Sequence, residues 1–517
     1  MAGTRLIAAA LGLTALLATA AAQDDELILD LPPIDGTAPA GEPSVPAGED
    51  LDLGLPPLPG DQDAMDDLEL GLPPLPGAAP DPGSEPSGAD LDLELPDLDL
   101  GLPPIGTESP DSTLLDTPSP DAALTDQDDP ATGASAGSWT FALGGYLGGE
   151  ATCFPASPPD PRQHHFGTSL AAAPELEIRH AESESTFRFA PFARWDQRDH
   201  ERTHADLREL SFLKEFDNFD VLVGVSRVFW GTTEAAHLVD VINQTDLVED
   251  IDQEAKLGQP MANVNVFTDL GRFSFYALPY FRERTFPGAD GRLRTHPRVD
   301  GDRPVYESAA EEWHTDLAFR YSRAFGDLDL GLSYFWGTVR EPTYLIDQRG
   351  DGEIVLLPFY EIVHQPGLDL SYTWQDWLFK SEAFYRSGQA GGDFLRAAAG
   401  FEFTFFGIFG SAVDLGVIGE FLYDSASNND INPFENDIAY GLRFAFNDLR
   451  DTTVLLSAIT DPDDGATFLN LEASMRFGGH WVARAEARAF ANVPADDFPL
   501  NGFRRDHYLR LGLEYHF

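Results

Sequence analysis

The chain has 517 residues, and 87 Asp and Glu against 33 Lys and Arg give it a formal net charge of −54. This acidity argues against nucleic acid or anionic lipid as the main partner, because like charges repel. The only cysteine, Cys153, cannot form an internal disulfide, which excludes a disulfide-stabilised scaffold.

The N-terminus predicts an exported protein. Arg5 precedes an apolar run from Leu6 to Leu17, and small residues follow as far as Ala22. A charged, an apolar and a small-residue segment in this order are typical of a signal peptide, which we predict to span residues 1–22. A signal anchor is the alternative, but the run is short for a membrane span, and no later segment offers about eighteen uninterrupted apolar residues.

Residues 23–137 differ in composition from the rest of the chain. They contain no Lys, Arg or aromatic residue, and a Leu-Pro-Pro unit recurs, as in LILDLPPIDG from Leu27 and LDLGLPPLPG from Leu51. Charge repulsion and scarce apolar area predict a disordered acidic Pro/Leu/Gly repeat segment. It is either a solvated linker or a spacer whose Leu-Pro-Pro units bind a periplasmic partner.

From residue 138 to residue 517 the sequence alternates apolar and polar residues. In FGDLDLGLSYFWG, for example, Leu328, Leu330 and Leu332 fall on one face, which is the period of a strand. Very short turns alternate with long polar loops, and this is the plan of an outer-membrane barrel. We therefore predict an all-β fold, a transmembrane antiparallel β-barrel of about 18 strands within a range of roughly 16–20. A soluble sandwich or propeller would show domain or blade repeats, and none is visible.

The predicted last strand ends on an aromatic residue. In RLGLEYHF, the residues Arg510, Gly512, Tyr515 and Phe517 resemble the C-terminal assembly signal of Gram-negative outer-membrane barrels. The resemblance implies recognition by the barrel-assembly machinery, insertion into outer-membrane lipid of a Gram-negative bacterium, and periplasmic termini. Closure of the barrel would also remove the edge that the last strand exposes.

A second resemblance lies between the strands predicted at 219–229 and 262–270. The residues that carry it are Trp230, Gly231, Asp240, Asn243 and Asp246. They resemble a Trp-Gly…Asp-x-x-Asn-x-x-Asp segment of an uncharacterised family of porin-like outer-membrane proteins, although Ser226 interrupts the Gly-Arg pair that precedes it in that family. The resemblance implies a channel. A loop of this length is uncommon unless it is functional, so it either constricts the barrel mouth or covers the outer rim.

If the apolar face of each strand meets lipid, the polar face lines the lumen. The charged residues predicted to point inward are Arg320, Arg396, Arg443, Glu472, Arg476, Arg484, Glu486, Arg488, Arg510 and Glu514. Rows of such charges create a transverse field in an open pore; alternatively they pair and plug the lumen. Barrels of roughly 16–18 strands leave an aqueous channel, which favours the pore. A three-residue turn after Phe477, with glycine in a left-handed conformation, would pair Ser474 with Arg484.

No residue pattern indicates catalysis. His200 and His204 are four apart, but they lie in a predicted loop, and such a pair binds metal best on a helix. A metal beside Asp196 and Asp199 is the weaker alternative to a solvated loop. The acidic DPDDG from Asp461 does not follow the EF-hand spacing. We therefore predict no enzyme, no catalytic or cofactor-binding residue and no metal.

Two functions fit these patterns. The first is an outer-membrane porin-like channel for diffusion of small hydrophilic solutes. The second is a structural or anchoring barrel that presents the acidic tail to periplasmic partners. Trimers are common among porins, and the alternating alanines of residues 483–489 are a candidate surface for a homotrimer.

Overall fold

The computed structural model of the protein describes residues 134–136, 138–426, 435–495 and 498–517. The predicted signal peptide lies outside the described residues, and so does the predicted acidic segment except for residues 134–136. Those three residues form a short strand, β1 (Ala134–Ala136), which pairs with the beginning of the first barrel strand. Within the described part of the chain, no helix is long and apolar enough to cross a membrane.

Eighteen antiparallel strands close into one barrel, because the last strand, β22, pairs with β2. The barrel strands are β2 (Trp139–Cys153), β3 (Phe166–His180), β4 (Ser185–Asp196), β5 (His204–Glu215), β6 (Phe219–Ser226), β7 (Gln259–Thr268), β8 (Gly271–Leu278), β10 (Asp316–Phe325), β11 (Leu328–Thr338), β14 (Ile362–Trp374), β15 (Trp377–Arg386), β16 (Phe394–Phe405), β17 (Asp414–Asp424), β18 (Ile438–Ala445), β19 (Thr453–Thr460), β20 (Thr467–Phe477), β21 (Trp481–Ala491) and β22 (Tyr508–His516). The predicted fold class is confirmed.

The alternation of residues places apolar side chains on the outside of the barrel. On β2, Leu143 and Leu147 are 49% and 55% exposed, and on β22 Leu511 is 52% exposed, whereas the inward Glu514 is buried. Exposed leucines and buried carboxylates are the reverse of a water-soluble surface. A band of lipid-facing apolar side chains explains this pattern.

The two ends of the barrel differ in their connections. One end carries the short turns, and β2 begins and β22 ends there as well. The other end carries the long loops 227–258, 279–315 and 339–361. The turn after Phe477 is as predicted: Ser474 pairs with Arg484, and both glycines of the turn have positive φ.

The number of barrel strands agrees with the predicted eighteen, and the strands predicted at 219–229 and 262–270 correspond to β6 and β7. The strands not predicted are β1 and three that form a small separate sheet: β9 (Val305–Tyr306), β12 (Thr343–Gln348) and β13 (Ile354–Tyr360). β13 was missed because IVLLPFY is continuously apolar and carries no alternation. The described residues also form short 3-10 helices at Ala181–Ser183, Glu311–Trp313, Ile408–Gly410 and Leu500–Gly502.

The three long loops form a hydrophobic core on the inner side of β7–β14. Its loop residues include Trp230, Val239, Ile242, Phe281 and Tyr360, and its wall residues include Tyr276, Phe335 and Val363. The rings of Phe281 and Tyr360 are 4.9 Å apart and meet edge to face. Because these side chains fill that side of the lumen, free space is confined to the other side.

Candidate functional site

The loop between β6 and β7, residues 227–258, lies inside the barrel and is here called the inner loop. It begins just after Gly224, whose φ is +135°. A Cβ at this position would lie 2.1 Å from the carbonyl oxygen of Leu210, so only glycine fits.

Trp230, Gly231 and Asp240, three of the residues that resemble the porin-like family, stabilise the inner loop. One carboxylate oxygen of Asp240 accepts the backbone N–H groups of Trp230 and Gly231, at 2.5 and 2.9 Å. Trp230 is buried, with its ring 5.6 Å from that of Tyr276 on the wall. Asp240 therefore closes a compact turn around the tryptophan.

Asn243 ties the two ends of the inner loop to each other. Its side-chain amide donates to the carbonyl oxygens of Ser226 and Leu257, each at 2.9 Å. Asp246 is fully buried and accepts the hydroxyl of Thr285 at 2.7 Å. These contacts give the Asp-x-x-Asn-x-x-Asp spacing a structural explanation: Asp240 and Asn243 stabilise the inner loop itself, and Asp246 joins it to the loop 279–315.

Residues 230–240, the first arm of the inner loop, bind the wall through backbone groups. One oxygen of Glu382 on β15 accepts the N–H groups of Thr232 and Thr233 and the hydroxyl of Thr233. The other oxygen accepts the N–H of Val239 at 3.1 Å. Glu382 has no exposed surface, so this carboxylate is almost fully satisfied by the loop.

A second carboxylate on the same side of the barrel extends this pattern. Glu420 on β17 accepts the N–H groups of Glu234 and Ala235, both at 2.8 Å. The Glu234 carboxylate in turn lies 2.6 Å from Arg443 and 3.7 Å from Lys380. The first arm thus reaches across β15, β17 and β18.

Residues 246–252, the second arm, bind the opposite wall through carboxylates. Asp250 lies 2.6 Å from both Arg488 on β21 and Arg510 on β22. Asp252 lies 2.8 Å from Arg488, and Glu486 lies 3.0 Å from each arginine. Burial alone would raise the pKa of Asp250, but the two arginines outweigh burial and lower that pKa to about 2.

The neighbouring strands continue the ionic wall. Arg194 on β4 lies 2.7 Å from Glu249 of the second arm and 3.0 Å from Glu150 on β2. Arg202 lies 3.0 Å from the same Glu150 and donates to the carbonyl oxygen of Val248 at 2.8 Å. The second arm therefore adjoins β2, β4, β21 and β22.

One cluster in this region has the residue types of a metal site. The ligand atoms of His204, Asp246 and Glu249 lie within 4.8 Å of one another. Arg194 already binds Glu249, and a nitrogen of Arg208 lies 3.7 Å from Asp246. These cations neutralise the carboxylates that a metal would need, so the cluster gives no support for a metal.

A cavity of about 320 Å³ lies between the inner loop and the wall that β16–β21 form. Its charged lining on the loop side includes Glu234, Asp240, Glu254, Lys256, Arg284 and Glu341. Its wall includes inward apolar residues of β17, β19 and β21, namely Ile418, Leu422, Leu455 and Phe490. This volume is at the lower end of the roughly 300–1,000 Å³ that ligand pockets occupy.

Most of the charges predicted to line the lumen form ion pairs. The shortest distances are 2.6 Å for Arg320 to Asp369, 2.5 Å for Arg396 to Asp424, 2.6 Å for Arg443 to Glu234 and 2.9 Å for Arg484 to Glu514. Glu486, Arg488 and Arg510 meet at the second arm, and Glu472 lies 3.7 Å from Arg488. Arg476 lies near the short-turn end, about 20 Å along the strand from the Arg488 pairing position.

The remaining residues of the predicted assembly signal lie on both faces of β22. Gly512 faces the lumen, where a Cβ would meet Arg484 at 3.6 Å. Tyr515 faces outward and its ring lies 5.1 Å from that of Trp481. The N–H of Phe517 donates to the carbonyl oxygen of Gly145 at 3.1 Å. Recognition of these residues by the assembly machinery stays a prediction.

Several residues of the site were not predicted. Glu382 and Glu420 are acids at inward positions of their strands, so the same alternation that indicated the arginines could have indicated them. Asp250, Lys256 and Arg284 lie in long loops, where no periodicity marks which side chains face the lumen.

Comparison with known proteins adds little. No protein-family model matches the chain, and no curated protein matches it. A solved mutant of Rh. blastica porin has 14% identity and a TM-score of 0.37, covering 73% of this chain and 100% of its own. OmpT of Vibrio cholerae, described as an in-vitro folded outer-membrane protein in trimer form, has 8% identity and a TM-score of 0.39 over 74% of this chain and 100% of its own. Likenesses this distant carry no argument about what the chain does.

Proposed function

We propose that the chain is an outer-membrane porin-like channel through which small hydrophilic solutes diffuse. The observation that supports this most directly is the cavity of about 320 Å³ that stays open beside the inner loop, inside a barrel of eighteen strands. Charged groups line part of this space, and pore-lining charge sets which solutes pass. This barrel is also in the size range that encloses an aqueous channel.

In this proposal the inner loop is the constriction. Its partners Glu382, Glu420 and Arg488 are inward residues within strands and do not lie on the outer rim, which supports the constriction over a rim cover. Trp230, Gly231, Asp240, Asn243 and Asp246 then maintain the shape of the constriction, and the solute passes between the loop and β16–β21.

The cellular setting is part of the same proposal. We propose export by the signal peptide, assembly in the outer membrane with periplasmic termini, and a homotrimer. Apolar side chains that are half exposed around the barrel, such as Leu143 and Leu511, support a lipid environment. The alternating alanines of residues 483–489 are the candidate surface for contact between barrels.

A planar-bilayer recording of the full chain tests the proposal. Steady current steps in KCl, absent with detergent alone or with heat-unfolded protein, are the expected result. A protein that is inserted and protease-resistant but never conducts would overturn the channel. That result would favour the second function, an anchoring barrel that presents residues 23–137 to periplasmic partners.

A further inference from the structure

Two cations line the cavity without a carboxylate partner among the described residues. Lys256 is 94% buried, and its ammonium has one hydrogen bond, to the hydroxyl of Thr245 at 3.3 Å. The guanidinium of Arg284 donates to the side-chain oxygen of Gln244 at 3.2 Å. A buried lysine with no carboxylate at ion-pair distance is costly, so its retention beside an open space indicates that an anion can meet it there.

The neighbouring arginines on this side of the cavity, unlike Lys256 and Arg284, are paired with carboxylates, because Arg396 also lies 2.5 Å from Asp424. Arg386 and Arg396 converge on one carboxylate oxygen of Glu341, at 2.9 and 2.6 Å. Burial lowers the pKa of Lys256 and the charge of Arg284 adds to this effect, whereas the carboxylates of Asp240, Glu341 and Glu254 oppose it without reversing it. An incoming anion would offset both costs.

The facing wall has the opposite character. Ile418, Leu422 and Leu455 point inward. Ile418 is in register with Glu402, and Leu455 with Arg443 and Glu472. All three are at least nine-tenths buried, and they line the same cavity as Lys256. Barrel interiors are ordinarily polar, so an apolar strip opposite a pair of cations indicates a solute with an apolar body.

Acidic groups limit the total charge that such a solute can carry. Glu254 and Glu472 also line the cavity, and the arginine that lies 3.7 Å from Glu472, Arg488, is shared with the carboxylates of Asp250, Asp252 and Glu486. A second negative group on the solute would approach these carboxylates and be repelled.

We infer that the cavity is a binding subsite for a small organic monocarboxylate with an apolar body. The carboxylate meets Lys256 and Arg284, and the body lies on the wall at Ile418, Leu422 and Leu455. The inference deepens the proposed channel function, on which it rests, by naming the class of solute that the constriction retains.

Calorimetry with the full chain folded in detergent tests the subsite, with benzoate as the probe. Benzoate should bind. Three other probes should bind at least about tenfold more weakly, a difference of about 1.4 kcal/mol: the dianion phthalate, the neutral benzyl alcohol and inorganic phosphate. Lys256→Met and Arg284→Gln should each weaken benzoate by about tenfold. Arg323→Gln, which removes a cation that contacts Leu270 at the short-turn end, is the matched control and should leave binding unchanged.

The results separate the subsite from the channel. Benzoate binding that survives the double variant Lys256→Met/Arg284→Gln, or phosphate that binds as well as benzoate, would overturn the subsite. Conductance in KCl without benzoate binding would overturn the subsite and leave the channel standing. Benzoate binding without conductance would overturn the channel and leave the subsite standing. Should a single variant fail to fold, Leu455→Asn should still weaken benzoate while leaving phosphate unchanged.

Discussion

The two arms of the inner loop are fixed to opposite walls by opposite chemistry. In residues 230–240 the loop supplies backbone N–H groups and the wall supplies carboxylates, chiefly Glu382. In residues 246–252 the loop supplies carboxylates and the wall supplies arginines, chiefly Arg488. Backbone donors survive every substitution within the arm except proline, whereas the carboxylates do not. The attachment of the first arm therefore depends mainly on the wall sequence, and that of the second depends on both partners.

Removal of Arg488 should have the largest effect on this arrangement. Arg488→Met leaves Asp250, Asp252 and Glu486 close together with only Arg510 between them. Breaking one side of a buried ion cluster costs about 3–5 kcal/mol. Hydrogen exchange should therefore accelerate in the second arm and stay unchanged in the first.

Arg188→Met is the matched control for Arg488→Met. Arg188 pairs with Glu177 at 2.9 Å, but its side chain is 53% exposed, and exposed pairs contribute only about 0–1 kcal/mol. Simultaneous loss of protection in both arms of Arg488→Met would show that the arms are not independently attached.

Glu382→Ala should detach the first arm and leave the second in place. The substitution removes the acceptor for the N–H groups of Thr232, Thr233 and Val239. Unsatisfied buried donors cost about 1–3 kcal/mol each, and because lumen water can reach some of them we expect about 3 kcal/mol in all. Exchange should accelerate in residues 230–240, and conductance should rise because the loop no longer spans the lumen.

Glu177→Ala controls for the loss of a lumen carboxylate away from the inner loop. It should change neither exchange in the loop nor conductance. If hydrogen exchange in the first arm is unchanged in Glu382→Ala, the hydrophobic core around Val239 is enough to hold this arm without the carboxylate.

The same contrast explains how much could be predicted from the sequence. The barrel followed from side-chain alternation, which also placed Arg488 and Arg510 on the inner face. The partners of these arginines did not follow, because Asp250 lies in an acidic loop where a paired carboxylate and a solvated one have the same sequence pattern. The contacts of Glu382 were harder still to predict from the sequence. They are made to backbone N–H groups, which nearly every residue type has, so the identities of Thr232 and Val239 do not indicate them. Loop-to-wall contacts depend on the path of the chain, and no local period encodes that path.

Acidification should have the smallest effect on the channel, and this effect should arise at the residue that follows the second arm. Glu254 follows this arm and faces the cavity. Burial raises the pKa of its carboxyl well above the ordinary value, and the charges of Asp252, Glu472 and Glu234 raise it further. A raised carboxyl pKa means that the negative charge is lost at a higher pH than for an exposed glutamate.

Lowering the pH from 7.5 to 5 should therefore move the reversal potential toward anion preference, since the cavity loses negative charge. One charge acting across about 4 Å of water changes an ion's energy by about 1 kcal/mol, so the selectivity ratio should change by at most about fivefold. Glu254→Gln should lower the cation preference already at pH 7.5 and reduce the further shift on acidification. An undiminished acid shift in Glu254→Gln would assign the titration to the other carboxylates of the cavity, and would show that the field there is set by the wall and not by the end of the second arm.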